Sequence, residues 1–235
     1  MGVLLLVRHG QASMGVADYD QLSDLGRRQA RATGTRLAAA DLAIDRVTCG
    51  ALTRQRDTAA EIMVMLPGTG HEAGAESGEF GPHIDGRLDE YDHVGVLTGL
   101  FGAGRAAGAA ASAGGADPAE PNRGLQPALD EAIARWASAD AGYGESHDAF
   151  LGRVHAVLDD LAGAPGCTLA VTSGGVIAVA CAQVLGLPAD RWPVLARIIV
   201  NGSVTKIING RTGTNLLTFN DYAHLEGDRS LVTYR

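Results

Sequence analysis

The sequence has little cysteine, and the cysteines it has are badly placed for cross-links. Only 3 of 235 residues are cysteine, and they lie far apart without a Cys-x-x-Cys pair. This spacing argues against a disulfide framework and against a zinc site. The apolar neighbours of Cys49, Cys167 and Cys181 instead predict buried thiols in a reducing compartment.

Basic charge is also scarce, since 19 Lys and Arg residues stand against 27 Asp and Glu residues and give a formal charge of −8. Binding to nucleic acid or to an anionic membrane would require a basic face, so neither is expected as a partner. The N-terminal apolar run, residues 3–7, is far too short to span a membrane and makes a poor signal peptide. We therefore expect a cytoplasmic protein.

The pattern of apolar residues predicts an α/β fold. Residues 3–7 and 167–172 are continuously apolar, as is typical of strands buried on both faces, and 46–49 is a shorter strand candidate. Helical spacing begins near Ser23 and recurs over 52–66, 127–139, 146–161 and 176–185. Late strands are expected over 194–208 and 215–219, around a turn at Asn209-Gly210.

Strands that alternate with helices predict a three-layer α/β/α sandwich with a mainly parallel central sheet. We expect a single domain over 1–235, with 67–145 forming a variable insertion or lid. Ligands bind such folds beyond the carboxyl ends of the strands. The loops that follow Val7, Cys49 and Thr172 are therefore the candidate site.

The first of these loops carries Arg8-His9-Gly10 directly after a strand, and here the chain resembles the histidine phosphatase (phosphoglycerate mutase-like) superfamily. Further segments are similar to that family's first helix entry, second-arginine motif, general-acid site and second-histidine motif. They are residues 22–30, 51–59, 88–90 and 171–177. The resemblance runs from Val3 to about Leu225 and fails only in the middle.

The resemblance implies a phosphohistidine mechanism that needs no metal or organic cofactor. A neutral imidazole is a good nucleophile toward phosphorus, so His9 is expected to take up the phosphoryl group. Guanidinium groups neutralise the phosphoryl oxygens, which assigns this role to Arg8 and Arg54, with Arg56 as the rival for the second position. Glu90 is expected to protonate the leaving group.

Other acidic residues lie beside Glu90, the expected general acid, and the second-histidine motif departs from the family at one position. Asp89 and Asp92 are acidic neighbours that could replace Glu90. Position 173 is serine where most active relatives have histidine, and exchanging a charged hydrogen bond for a neutral one costs about 1–2 kcal/mol. Ser173 and Gly174 are nevertheless expected to bind phosphate at a helix N-terminus.

Ser173 also has other interpretations. It could be an ordinary N-cap residue, and His93 or His224 could occupy the place of the missing histidine. If that place is empty, restoring histidine at 173 is expected to raise the rate.

We therefore predict a phosphomonoesterase that acts on a small phosphorylated metabolite. Serine at 173 leaves low activity open as an alternative, and a homodimer is an open alternative for the oligomeric state. The alternatives are a mutase of the phosphoglycerate type and a phosphate-binding regulatory protein. A serine-hydrolase elbow built from Ser173, Asp221 and His224 fits less well, because Val171 stands where that motif needs glycine. A dinucleotide-like glycine pattern over 102–108 follows no predicted strand.

Overall fold

The computed structural model describes residues 1–13, 20–40, 42–66, 81–101, 125–138 and 142–234. Within these ranges six strands form one sheet in the order β3-β2-β4-β1-β5-β6. The strands are β1 Gly2–Arg8, β2 Arg46–Cys49, β3 His83–Ile84, β4 Gly166–Thr172, β5 Val204–Gly210 and β6 Gly213–Asp221. The first four pair in parallel and the last two antiparallel, which confirms the predicted mainly parallel sheet.

The helices connect and cover these strands. They are α1 Asp24–Ala38, α2 Thr53–Met65, α3 His93–Phe101, α4 Leu125–Ala137, α5 His147–Gly163, α6 Gly174–Val184 and α7 Trp192–Ala196. The side chain of Ser23 caps α1 through Gly26 N, and that of Ser146 caps α5 through Ala149 N. Each cap satisfies a backbone N–H that has no partner inside its helix, which explains where both helices begin.

The sheet is the middle of three layers, as predicted. Alternate side chains of β1 point to opposite faces, so Leu4 and Leu6 join one apolar cluster while Leu5 and Val7 join another. The first cluster contains residues of α4, α5 and α6, and the second contains residues of α1 and α2. The continuously apolar sequence of β1 is thus explained by burial on both faces.

The three cysteines are free and buried, as predicted. Burial raises the pKa of the Cys49 thiol to about 11 and that of the Cys181 thiol to about 12. Both thiols therefore stay protonated near neutral pH and act as small apolar groups.

The predicted strand over 194–208 is wrong in its first half. Residues Trp192–Ala196 form the short helix α7, and a strand begins only at Val204. Pro193 lies in the first turn of α7, where its missing N–H costs nothing. The turn lies at 211–212 rather than at Asn209-Gly210, because Gly210 still pairs with Gly213. Gly213 has a φ of +96°, a conformation that favours glycine.

The predicted lid is only partly described. It contains β3, α3 and α4, whereas 67–80, 102–124 and 139–141 lie outside the described residues. The glycine pattern over 102–108 falls outside them as well. The single-domain and lid assignments stay predictions. None of the helices in the described ranges is both long and apolar enough to cross a membrane.

Candidate active site

The three strand-end loops chosen from the sequence meet at one edge of the sheet. Arg8 pairs with Thr172 in the ladder between β1 and β4, and Cys49 pairs with Val171 between β2 and β4. The carboxyl ends of three adjacent parallel strands are therefore level with one another. This register places the residues that follow them around a common pocket.

His9 is held with one ring nitrogen turned into this pocket. Its backbone N–H donates to Thr172 O at 2.9 Å, and its carbonyl accepts from Asn201 Nδ2 at 3.0 Å. In the ring, Nδ1 lies 2.7 Å from Gly10 O, and Nε2 lies 3.2 Å from Arg54 Nε. A carbonyl only accepts and a guanidinium only donates, so Nδ1 carries the proton and Nε2 carries the lone pair.

Arg54 lies on the first turn of α2 and is 7% exposed. Its Nη1 donates to Asp20 Oδ1 at 2.8 Å, while Asp20 Oδ2 accepts from Thr53 N at 2.6 Å. Asp20 thus fixes the guanidinium from one side and stabilises the α2 N-terminus with its charge. Arg56, the rival from the sequence, is exposed, and its Nη2 lies 3.4 Å from Thr53 Oγ1.

Arg8 enters the pocket from the end of β1. It is 4% exposed, and its Nη1 donates to the carbonyl of Ile199. The Cα of Gly174 faces it, since a Cβ added there would lie 3.7 Å from Arg8 Nε. Two buried guanidinium groups thus lie next to His9, that of Arg54 through a hydrogen bond and that of Arg8 as the preceding residue.

Glu90 is the acidic residue that reaches the pocket. It is 8% exposed, and its Oε2 accepts from Gly175 N at 3.1 Å. A Cβ at Gly175 would collide with Glu90 Oε1, so a side chain there would displace this carboxylate. The two acidic alternatives have other contacts, because Asp89 Oδ1 accepts from Ala51 N at 2.6 Å and Asp92 Oδ1 accepts from Gly95 N at 2.9 Å.

The loop that carries Glu90 is held from several sides. Leu88 O accepts from Thr172 Oγ1 at 2.6 Å and from Gln55 Nε2 at 3.0 Å. Arg153 on α5 donates through Nη1 to Asp89 O at 2.6 Å and to Arg87 O at 2.9 Å. A carboxyl group whose backbone is fixed in this way loses little entropy when it acts on a bound group.

Ser173 is fully buried at the N-cap position of α6. In the part of the chain that the structure describes, its side chain makes no capping hydrogen bond to this helix, so the interpretation as an ordinary N-cap is wrong. Its Oγ instead accepts from Gln55 Nε2 at 2.9 Å. Gln55 on α2 is also fully buried.

A cavity that is open to solvent lies beside Arg8 and Glu90, and its empty space of about 480 Å³ includes part of that solvent. Apolar residues on its wall are Tyr91, Leu129, Ile133, Trp192, Pro193 and Ala196. Arg197 also lines it and pairs with Asp130 at 2.8 Å. The cavity therefore offers both apolar and charged groups to a bound molecule.

The other histidines considered from the sequence lie elsewhere in the described contacts. His224 Nε2 lies 3.2 Å from both Thr33 Oγ1 and Gly202 O, and His93 is the first residue of α3. Ser173 contacts Gln55 rather than His224, so the described contacts assemble no serine-hydrolase pair. Burial lowers the pKa of His224, which keeps this ring neutral near pH 7.

Three residues of this site were not predicted from the sequence: Asp20, Gln55 and Asn201. Gln55 is adjacent to the predicted Arg54, so its position was available from the sequence, but no pattern indicated its contact with Ser173. Asp20 and Asn201 come from loops without regular spacing. Among the described residues, no group of three or more His, Cys, Asp or Glu side chains is arranged to bind a metal ion.

Comparison of the sequence with known proteins agrees with this geometry. A model of the histidine phosphatase superfamily (branch 1) matches residues 4–93 and 112–222. The serine/threonine-protein phosphatase Pgam5, mitochondrial, of Caenorhabditis briggsae is 35% identical over 79 residues. That match covers 34% of this chain and only 28% of the relative.

Comparison of the folds gives matches over nearly the whole chain. A mycobacterial glucosyl-3-phosphoglycerate phosphatase has a TM-score of 0.60 at 24% identity, covering 94% of this chain and 99% of its own. Bacillus stearothermophilus YhfR has a TM-score of 0.61 at 22% identity, covering 96% and 100%. A phosphoserine phosphatase of Entamoeba histolytica has a TM-score of 0.59 at 18% identity, covering 96% and 100%. Identities this low establish a shared fold.

Proposed function

We propose, because this chain belongs to branch 1 of the histidine phosphatase superfamily, that it is a phosphomonoesterase working through a phosphohistidine at His9. The observation that carries the proposal is the state of the His9 ring. Its Nε2 lone pair points at the buried guanidinium of Arg54, and buried Arg8 is the preceding residue. A neutral nitrogen beside fixed positive charge is what attack on a phosphate dianion requires.

In the first step His9 Nε2 forms a bond to phosphorus while the bond from phosphorus to the leaving oxygen breaks. Arg8 and Arg54 balance the charge on the phosphoryl oxygens, and Ser173 and the Gly174 N–H donate further hydrogen bonds. Glu90 gives its proton to the leaving oxygen. In the second step Glu90 takes a proton from water, whose oxygen attacks phosphorus and restores His9.

The organic part of the substrate enters the cavity beside Glu90. The leaving oxygen must lie near this carboxyl group, and the cavity begins at Arg8 and Glu90. Its wall combines apolar side chains, among them Tyr91 and Trp192, with the charged side chain of Arg197. We therefore propose a small phosphorylated metabolite whose organic part can contact both kinds of group.

A quench experiment tests the phosphohistidine. Incubation with an aryl phosphate followed by alkaline denaturation should leave a phosphoryl group on the peptide that contains His9, and mild acid should remove it. His9→Ala should show neither this adduct nor turnover, while its fold remains because a loop residue contributes little to the core. Full activity of His9→Ala would contradict the mechanism.

The same assay separates the two rival functions. A mutase would transfer the phosphoryl group to a second alcohol faster than to water, and a regulatory binder would gain thermal stability from vanadate without turnover. We propose hydrolysis, in the cytoplasm and without a metal or organic cofactor. A homodimer, the absence of nucleic acid and membrane partners, and the lid over 67–145 remain predictions.

A further inference from the structure

The N-terminus of helix α6 is capped by the side chain of Glu90 rather than by that of Ser173. Ser173 occupies the N-cap position, where a serine side chain normally accepts from the first backbone N–H groups of its helix. Here the N–H of Gly175 is taken by Glu90 Oε2 at 3.1 Å. The hydroxyl of Ser173 is thereby released from capping, although it is fully buried.

Gln55 determines whether the Ser173 hydroxyl acts as a donor or as an acceptor toward it. One amide has two N–H donors, and those of Gln55 go to Leu88 O at 3.0 Å and Ser173 Oγ at 2.9 Å. Its Oε1 accepts from Leu52 N at 3.3 Å. A flipped amide would set Oε1 against Leu88 O, so this orientation is fixed. Ser173 Oγ is therefore an acceptor toward Gln55, and its own hydrogen must point elsewhere.

The residues next to Ser173 contact the groups around His9. Thr172 O accepts the backbone N–H of His9, and the Cα of Gly174 faces Arg8. Gln55 follows Arg54 on α2, and Arg54 contacts His9. Ser173 and Gln55 are thus each adjacent in sequence to the groups that surround His9.

We propose that Gln55 is a positioning residue that directs the Ser173 hydroxyl hydrogen to an oxygen of the bound phosphoryl group. The inference rests on the proposed phosphate pocket and adds to it the device that makes a neutral serine a fixed donor. A free hydroxyl would rotate among several directions, whereas one that already accepts from a rigid amide retains fewer. Gln55 itself does not touch the substrate.

A double-mutant cycle tests the coupling, with orthovanadate affinity as the main readout because it does not depend on turnover. Ser173→Ala should weaken vanadate binding about tenfold, the effect of one lost hydrogen bond to a charged group. Gln55→Met should weaken it by a similar factor in the presence of Ser173. In the Ser173→Ala background the same Gln55→Met change should alter affinity less than about twofold.

Gln29 provides a matched control. It is also a fully buried glutamine, and its Nε2 donates to Leu231 O at 2.8 Å and Thr233 Oγ1 at 2.8 Å while Oε1 accepts from Gln11 N at 2.8 Å. Gln29→Met removes the same kinds of bonds and should lower stability comparably. Gln29→Met should change vanadate affinity by the same factor whether residue 173 is Ser or Ala.

Gln55→Glu keeps the size of the side chain and reverses its hydrogen bond. A carboxylate accepts the Ser173 hydrogen and withdraws it from the phosphoryl group, so this variant should bind vanadate at least as weakly as Ser173→Ala. Gln55→Ala, which sets no second acceptor against Leu88 O, serves if Gln55→Met fails to fold. Vanadate affinity of Gln55→Glu equal to that of the unaltered protein would overturn the inference.

Equal factors for Gln55→Met in both backgrounds would likewise overturn it, because they would reveal a purely structural role. So would unchanged vanadate affinity in Ser173→Ala. Turnover of 4-nitrophenyl phosphate is measured alongside. If the vanadate affinities show coupling but the unaltered protein does not turn over 4-nitrophenyl phosphate, the proposed phosphatase activity is wrong. The positioning role of Gln55 is still supported in that case.

Discussion

Arg54 Nε donates a hydrogen bond to His9 Nε2 across 3.2 Å and so joins the loop after β1 to the start of α2. In the proposed mechanism the acceptor is the lone pair that attacks phosphorus. This contact would then open when a phosphoryl group arrives, and the released N–H would become available to a phosphoryl oxygen. Asp20 keeps the opposite edge of the guanidinium in place meanwhile.

Replacing Arg54 should damage catalysis far more than replacing Arg56. Arg54→Met removes a fixed cation from the pocket and should lower kcat/KM about a hundredfold or more. Arg56→Met, at an exposed position, should change kcat/KM less than about threefold. Steady-state kinetics at equal folded yield make the comparison, and a larger loss for Arg56→Met would show that the register is wrong.

Arg153 should influence catalysis through Glu90. Arg153→Met removes the donors to Asp89 O and Arg87 O, and the Glu90 loop then moves more freely. We expect kcat to fall about tenfold for an alkyl phosphate, whose leaving group needs a proton, and much less for 4-nitrophenyl phosphate. Glu90→Gln should show the same contrast more strongly.

Arg46 offers the control for that experiment. Its Nη2 also donates to a backbone carbonyl, that of Pro165 at 2.8 Å, at the opposite end of β4. Arg46→Met should leave the ratio of kcat for the alkyl phosphate to kcat for 4-nitrophenyl phosphate unchanged. If Arg46→Met and Arg153→Met change this ratio equally, Arg153 does not position Glu90.

Histidine at 173 can raise the rate only if there is empty space for its ring. In the structure Gln55 packs against Ser173 and fills that space. We therefore expect Ser173→His alone to lower both stability and kcat, because overfilling a packed interior costs about 1–3 kcal/mol. Combining it with Gln55→Ala should provide room for the ring and raise kcat above that of the single variant. Thermal melts and kinetics of both proteins test this, and a single Ser173→His variant that is stable and faster would contradict it.

The protein should lose stability in mild acid through His147. This ring is 6% exposed, its Nε2 accepts from Trp192 Nε1 at 3.2 Å, and burial lowers its pKa. Exposed Asp148 opposes the shift only weakly from 3.9 Å. The unfolded chain binds the proton at its ordinary pKa, so stability is full above about pH 6.5 and falls as pH drops toward the lower folded value.

His147→Gln keeps an acceptor without a titrating ring. Below about pH 6.5 it should reduce the slope of unfolding free energy against pH by up to about 1.4 kcal/mol per pH unit. His224 has the same direction of shift and should account for part of the remaining slope. Denaturant titrations at several pH values measure both, and an unchanged slope in His147→Gln would show that this histidine is not responsible.

The sequence was most informative where topology alone determines position. Parallel strands place their carboxyl ends side by side, so apolar runs over 3–7 and 167–172 were enough to bring His9 and Ser173 to one edge. The same reasoning failed at 194–200, because an apolar stretch has no periodicity that separates a short helix from a strand. There the proline at 193 was the better signal.

Contacts between loops could not be predicted from the sequence, and the reason is physical. Asp20 binds the N-terminus of α2 and Asn201 binds the carbonyl of His9, and both depend on distances set by the packed sheet. Gln55 differs, since its neighbour Arg54 was already identified. What remained hidden was that a buried amide would pair with the serine at 173.

The bond from His9 N–H to Thr172 O continues the ladder between β1 and β4 by one rung, and both strands are central in the sheet. The amide hydrogen of His9 should therefore exchange with deuterium only when the whole protein unfolds, at the slow limit reached by core strands. Gly10 N–H, bonded to the side chain of Thr58, should exchange sooner. If His9 is the nucleophile as proposed, its backbone stays in place during each turnover, and the motions that admit substrate and release product belong to the side chains and loops around it.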